Sequence, residues 1–378
     1  MEREMDQRIQ ALEEKGVIMI DPRQVYIAPE VNIDRIYAGS VLYPGTRLTG
    51  ARTLIGSNAK IGTEGPAVIH DTVIGAKAEV ASGYLAGTTL LPEANAGANS
   101  HFRAGTLLEE TATTAHCVGL KQSILMYSAT LGSLINFCDI LISGGRSRKE
   151  HTEVGSGFIH FNFTPYGVNG DKATASLIGN VTEGVFLDQK KIFLGGMSGI
   201  VGPVSVGFGA MTVAGQVIRH SVDADVMHSE SDFDMEKQWS PTEVKFSEKR
   251  LNNIKEKNME YLTQLYALKA WYEQIRIVRS RLQEDEELTL VYEGAIETIK
   301  SCIKERLKRY NSFAKEWNLT PVEAVCEEQV HVDMNVSVDW KKELKYDEWI
   351  WNLSDTEKIE LHSWLAGYAE NVRNILNK

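Results

Sequence analysis

The chain has 378 residues, of which 43% are hydrophobic and 24% charged, and its 40 basic against 51 acidic side chains leave a formal charge of −11. That length suggests two modules, and the composition excludes a wholly disordered chain. The acidic balance is a poor basis for holding a phosphodiester backbone, and no apolar run approaches the roughly 18 residues needed to cross a bilayer, so neither nucleic acid nor a membrane is an expected partner.

In chain order, the segment Met1 to Lys15 is charge-rich and lacks the apolar core of a signal peptide, which predicts a cytoplasmic protein. Cys117, Cys138, Cys302 and Cys326 lie far apart with no C-x-x-C pair, so they read as reduced thiols filling space and no metal site is expected. Next comes a repeat. Ile55-Gly56-Ser57-Asn58-Ala59-Lys60 runs straight into Ile61-Gly62, Ile74-Gly75-Ala76-Lys77-Ala78 repeats the pattern, and Ile200, Val206, Thr212 and Ile218 fall six apart. Six residues make one short strand plus a turn, and three such sides close a triangular coil whose inward aliphatic stack forms the core. From about Val25 to His220 there is room for about ten coils. Such a prism is the left-handed parallel β-helix.

Between Ser82 and Gly170 the pattern is expected to break, at HFRAG, VGLKQS, GGRSRKEH and FIHFNFTPYGVNGDKA. Irregular loops on a rigid solenoid are where binding groups usually sit. The loop Gly144 to His151 concentrates Arg146, Arg148 and Lys149 and could steer a phosphorylated ligand. Thr164 to Ala173, dense in turn formers and polar groups, suits an ordered binding loop.

Near residue 225 the composition changes: 29 of 31 glycines fall before residue 216, and all seven tryptophans come after residue 238. The predicted domains are therefore a β-solenoid over 1–224 and an α-helical C-terminal domain over 225–378. Leu265, Leu268, Tyr272, Ile275 and Leu282 keep helical spacing, as do Tyr292, Ile296, Ile299, Ile303, Leu307 and Tyr310. Ser354 with Glu357 forms a capping box ahead of a last helix carrying Leu361, Leu365, Tyr368, Val372 and Ile375. The alternating segment Val330 to Val338 predicts a strand.

A family resemblance rests on Gly16-Val17 with Asp21-Pro22, the hexads, VGLKQS, TLGSLINFCD, GSGFIHFNF and VGPVSVGFGAMTVAG, in that order. Over roughly residues 8 to 222 the chain resembles the C-terminal half of the bifunctional UDP-N-acetylglucosamine pyrophosphorylase and glucosamine-1-phosphate acetyltransferase. The resemblance implies a homotrimer that binds a sugar phosphate or nucleotide sugar and takes acetyl-CoA or another acyl-CoA as donor. The glycine-rich nucleotide loop of the pyrophosphorylase half has no counterpart among these residues.

Carried over residue by residue, the resemblance makes Arg103 and Lys121 the cations for the sugar phosphate, the first able to give paired hydrogen bonds and the second a point charge. Asn162 is similar to the family's substrate asparagine, Lys172 approximates a downstream lysine, and Gly195, Gly196 and Ala214 fall at about the places that line the acyl-CoA. The family's catalytic histidine, within G-H-L-x-Y, is replaced: Gly132-Ser133-Leu134 and Asn136 stand there. Losing a placed general base commonly costs ~10²- to 10⁴-fold in rate. His160, two residues before Asn162 on one apparent strand, is the preferred substitute base, with His116 and His101 as others. The function expected is acyl transfer to a sugar phosphate or nucleotide sugar. The alternative is a non-catalytic sugar-nucleotide-binding scaffold. A metal-dependent hydratase would need ligand spacing that His70, His101, His116 and His160 do not show.

Overall fold

A computed structural model describes residues 2–161, 173–230, 236, 246–330, 332–334, 336 and 338–377. Its first part is a left-handed parallel β-solenoid of about 11 turns, followed by helices. The first face is an 11-stranded parallel sheet running from Ile18–Met19 to Met227–His228. The second face starts at Tyr26–Ile27 and ends at Val217–Ile218; the third runs from Leu54–Ile55 to Ser205–Val206. Two seven-residue strands, Gly119–Leu125 and Asn136–Ile142, bend from the second face onto the third at Gln122 and Asp139, whose φ values are +51° and +59°.

The hexad period becomes coil geometry directly. Asn95 pairs with Thr113 and Phe193 with Met211, eighteen residues on in both cases. Ile200, Val206, Thr212 and Ile218 each point inward from successive sides and are at most 1% exposed. HFRAG and VGLKQS, expected as interruptions, keep the register: His101 pairs with Gly119 and Phe102 with Leu120. The excursions lie lower. Between Thr130 and its partner Glu153 a hairpin of Gly145–Ser147 with Glu150–His151 bulges out. Between Glu153 and its partner Phe193 the chain carries the short helix α2 (below) and residues 162–172, which lie outside the described set.

The helices are α1 (Glu2–Glu14), α2 (Val181–Gly184), α3 (Glu248–Trp271), α4 (Ile277–Leu282), α5 (Glu286–Glu316), α6 (Tyr346–Trp351) and α7 (Asp355–Leu376). A π-helical turn, Tyr272–Arg276, joins α3 to α4. Side-chain caps start three of them: Ser247 accepts from the Arg250 N–H, Asp285 from that of Leu288, and Ser354 with Glu357 forms the expected capping box. α1, unforeseen in its charge-rich sequence, sends the fully buried Leu12 into the solenoid core.

The third face is covered. Its outward side chains Leu54, Val73, Leu107, Ile124, Leu141 and Leu177 are at most 3% exposed and join the helices in one apolar cluster. α5 lies close against it, because three positions one turn apart are shaped for the contact. A Cβ on Gly294 would stand 2.8 Å from Val73 Cγ2, Thr298 Oγ1 is 2.9 Å from Thr89 Oγ1, and the Cys302 thiol donates to the Gly105 carbonyl at 3.1 Å. Of the four cysteines, only Cys302 fills the core as expected; Cys117 and Cys326 are exposed and Cys138 is half-buried. The predicted strand at Val330 to Val338 is corrected: its described residues form none, yet Val332, Met334, Val336 and Val338 pack on the shared cluster. The alternation marks a buried side without a ladder to join.

Candidate functional site

The second face stays open, and its outer border collects the expected cations. Register places Arg103 beside Lys121 and Lys121 beside Cys138 on three successive coils. The Arg103 guanidinium reaches Cys138 Sγ at 3.7 Å. Burial, then Asp139, pushes the Cys138 thiol up, while Arg103, Lys121 and Arg309 pull it back. Arg309, on α5, is bonded to Glu305 at 2.7 Å.

Across the same face, the outward positions His101, Gly119 and Asn136 stand in one register. Tyr84 stacks on His101 with ring centres 5.4 Å apart. At the far border, where the first face turns into the second, backbone bonds tie Leu134 to His116, Gly157 to Ser133, Met197 to Ser156 and Gly215 to Gly196. His116, Ser133, Ser156, Gly196 and Ala214 thereby form one ladder along the edge. Ser133 Oγ is 3.2 Å from His116 Nδ1, and the Ser133 N–H donates to Ser156 Oγ at 3.0 Å. Gly195 and Gly196 sit two coils from Ser133, and a Cβ on either would lie under 3 Å from backbone of an adjacent coil. Close stacking alone therefore calls for glycine at both positions.

His160 is placed differently from the expectation. It pairs in register with Ile200, and the ring points into the column, 5% exposed. Nδ1 bonds the Cys138 carbonyl and Nε2 lies 2.9 Å from Ser176 Oγ, so both ring nitrogens are occupied. Burial holds its pKa below the ordinary imidazole value. Strand parity explains the difference: residue 160 shares its side of the strand with the inward-facing partner position Ile200, and that side is the interior. Asn162 and Lys172 lie outside the described residues. The basic hairpin is elsewhere: Arg148 Nη1 donates to the Thr111 and Ser128 carbonyls and Thr130 Oγ1, tying it to the corner between the third and first faces.

A buried ionic cluster between the solenoid and the helices also escaped the sequence. The Arg276 guanidinium is 2.6 Å from Glu110 Oε1 and 3.4 Å from Glu109 Oε1, and the Tyr272 hydroxyl donates to Glu109 at 2.7 Å. Arg306 meets Asp139 at 2.7 Å. Adjacent glutamates within a strand-rich repeat were the available signal.

No family model matches the chain. It is similar to "Bifunctional protein GlmU" of Nocardia farcinica, 29% identical over 207 residues, which are 55% of this chain and 36% of that protein. Its counterpart from Carboxydothermus hydrogenoformans is 26% identical over 215 residues, 57% of this chain and 42% of that one. The chain spans about two fifths of the length of the curated relatives it matches. Among solved structures, LpxA from Acinetobacter baumannii aligns at 17% identity with a TM-score of 0.22, covering 76% of this chain and 95% of that one. The relatives are bifunctional proteins of the kind whose C-terminal half the motifs resemble.

Proposed function

We propose that the second face binds the phosphate of an amino-sugar phosphate or nucleotide sugar and that the protein transfers an acyl group to it from acyl-CoA. The observation that carries this reading is the adjacency of Arg103 and Lys121 on the open face of an otherwise acidic chain. A guanidinium and an ammonium side by side match a phosphate, one by paired donors and the other as a point charge. The sugar would lie over Gly119 and Asn136, toward the edge where Ser133 stands.

His116 is the base this reading favours, because it is exposed and lies beside Ser133, the position of the family's histidine. The substrate amine attacks the thioester carbonyl, its proton passes to His116, the C–S bond breaks, and the departing thiolate takes up a proton. Gly195, Gly196 and Ala214 lie along the same edge ladder, in line with an acyl-CoA chain following it. Leu134 at 62% and Met197 at 80% exposure flank that edge and would pack against a second copy in a trimer.

The test is thiol release from acetyl-CoA with glucosamine 1-phosphate and related amino-sugar phosphates, beside calorimetric titration of each sugar. Arg103→Ala and Lys121→Ala each weaken sugar-phosphate binding, and His116→Ala lowers turnover by ~10²- to 10⁴-fold with binding kept. Ser133 in place of the family's histidine favours a second reading, a binding scaffold. Sugar binding through Arg103 without any thiol release selects that reading, and binding unaffected by either cation overturns both.

A further inference from the structure

Three arginines are almost wholly buried in the helical part, and two of them have carboxylates. Arg276 meets Glu110 and Glu109, and Arg306 meets Asp139. The third, Arg279 on α4, is 4% exposed and makes no ion pair among the described residues. Its Nη2 donates to the Lys342 and Leu344 carbonyls at 3.1 and 3.3 Å, its guanidinium lies 4.3 Å over the Trp349 ring, and its buried Nε has no partner among the described residues. Carbonyl dipoles and an aromatic face hold a cation but do not neutralise it, and the Asp339 carboxylate acts on it without forming an ion pair, so the cost of burying this charge is only partly offset.

Beside this guanidinium is a cavity of about 300 Å³, lined among others by Arg279, Gln283, Asp285, Tyr292, Glu343 and Tyr346. Its other two cations are committed: Arg276 to Glu110, and Lys345 to Glu93 at 2.8 Å. Asp285 Oδ1 is engaged in capping α5, accepting from the Leu288 N–H at 2.9 Å. The π-helical turn Tyr272–Arg276 leads directly into α4, and such irregular turns often accompany functional sites.

We propose that this cavity is a binding site for a small carboxylate bearing an amine or hydroxyl, its carboxylate seated on Arg279. With Nη2 given to the two carbonyls and Nε buried, Nη1 is the Arg279 nitrogen left to donate to a carboxylate, and Gln283, Asp285 and Glu343 supply acceptors for the ligand's own donor group. The cavity is formed between α4, α5 and the segment leading into α6. It is separate from Arg103 and Lys121 and does not depend on the acyltransfer reading.

Trp349 makes the site readable. The full-length protein is titrated with acetate, glycolate and glycine at constant ionic strength against sodium chloride, following tryptophan emission and the melting midpoint. At least one of the three produces a saturable emission change and raises the midpoint where chloride does not. Both effects vanish in Arg279→Met and persist in Arg103→Ala. Should Arg279→Met fail to fold, Arg279→Lys decides, since an ammonium keeps the charge but cannot both hold the Lys342 and Leu344 carbonyls and present a donor to the cavity, and should weaken binding about tenfold or more. No saturable change with any of the three probes, or binding by Arg279→Lys equal to wild type, overturns the proposal.

Discussion

The first and third faces of the solenoid are built from the same hexad but meet different surroundings. Along the first face the outward neighbours of the inward residues are Lys60, Glu79, Asn95, Thr113, Thr130 and Glu153; along the third they are Leu54, Val73, Leu107, Ile124, Leu141 and Leu177. The doublets Leu54-Ile55, Val73-Ile74, Leu107-Leu108, Ile124-Leu125, Leu141-Ile142 and Leu177-Ile178 thus carry two messages at once. One residue fills the column and the other fixes the helices on it. The inward position defines the solenoid, and the outward one decides whether a face is covered or free for ligand.

The largest effect that would break this comparison comes from putting a charge on each face. Leu107→Asp buries an unpaired carboxylate under α5 and is expected to cost ~5 kcal/mol or more, enough to unfold a typical domain. Thr113→Asp, on the first face, should stay within about 0.5 kcal/mol. Chemical denaturation of both variants is the check, and equal costs would mean that the third face is not covered.

Next is the ionic cluster at the covered face. Arg276→Ala leaves Glu109 and Glu110 without their cation and should cost about 3–5 kcal/mol. Glu109 adds a pH signature. Burial raises its pKa above the ordinary glutamate value, with Arg276 opposing. The folded chain therefore holds this proton more tightly than the unfolded one. The stability it contributes is complete below the ordinary glutamate range and is lost as pH rises toward the raised value. Glu109→Gln should accordingly gain on wild type as pH rises from 5 to 8, measured by denaturation at each pH. A constant difference would contradict the burial of this carboxyl.

His160 gives a smaller effect of opposite sign. Burial lowers its pKa, so the folded chain binds the proton less well, and its contribution is full above the ordinary value of 6.5 and lost as pH falls. His160→Gln should cost about 1–3 kcal/mol near pH 7. Between pH 7 and 5, the wild type should lose more stability than this variant. Smallest of all is Arg103→Ala, which should change stability by no more than about 0.5 kcal/mol while weakening the phosphate binding proposed for the open face.

Much of this fold is legible in the chain because it is local. A six-residue period, a capping box at Ser354 and apolar stripes at helical spacing are each set by neighbours within one or two turns. What is not legible depends on parity or on distant packing. Alternation along the strand does not say which side of it is interior; only the register with Ile200 shows that residue 160 faces inward. His116 comes beside Ser133 through a coil of seventeen residues, and Arg306 meets Asp139 only after α5 has docked. The third-face doublets were the readable sign of that docking, since an aliphatic residue pointing away from a solenoid core needs a cover.

The seating of α5 on the third face is tested most directly by paired cysteines at Thr89 and Thr298, whose Oγ1 atoms are 2.9 Å apart. A Thr89→Cys, Thr298→Cys chain, oxidised in the native state, should form the 89–298 disulfide, identified as one cross-linked peptide by mass spectrometry. It should keep the sugar-phosphate affinity of the parent. Recovery of both cysteines as free thiols, or only in pairs with Cys302 or Cys117, would contradict the covered face and with it the division between a face that binds helices and the face proposed to bind ligand.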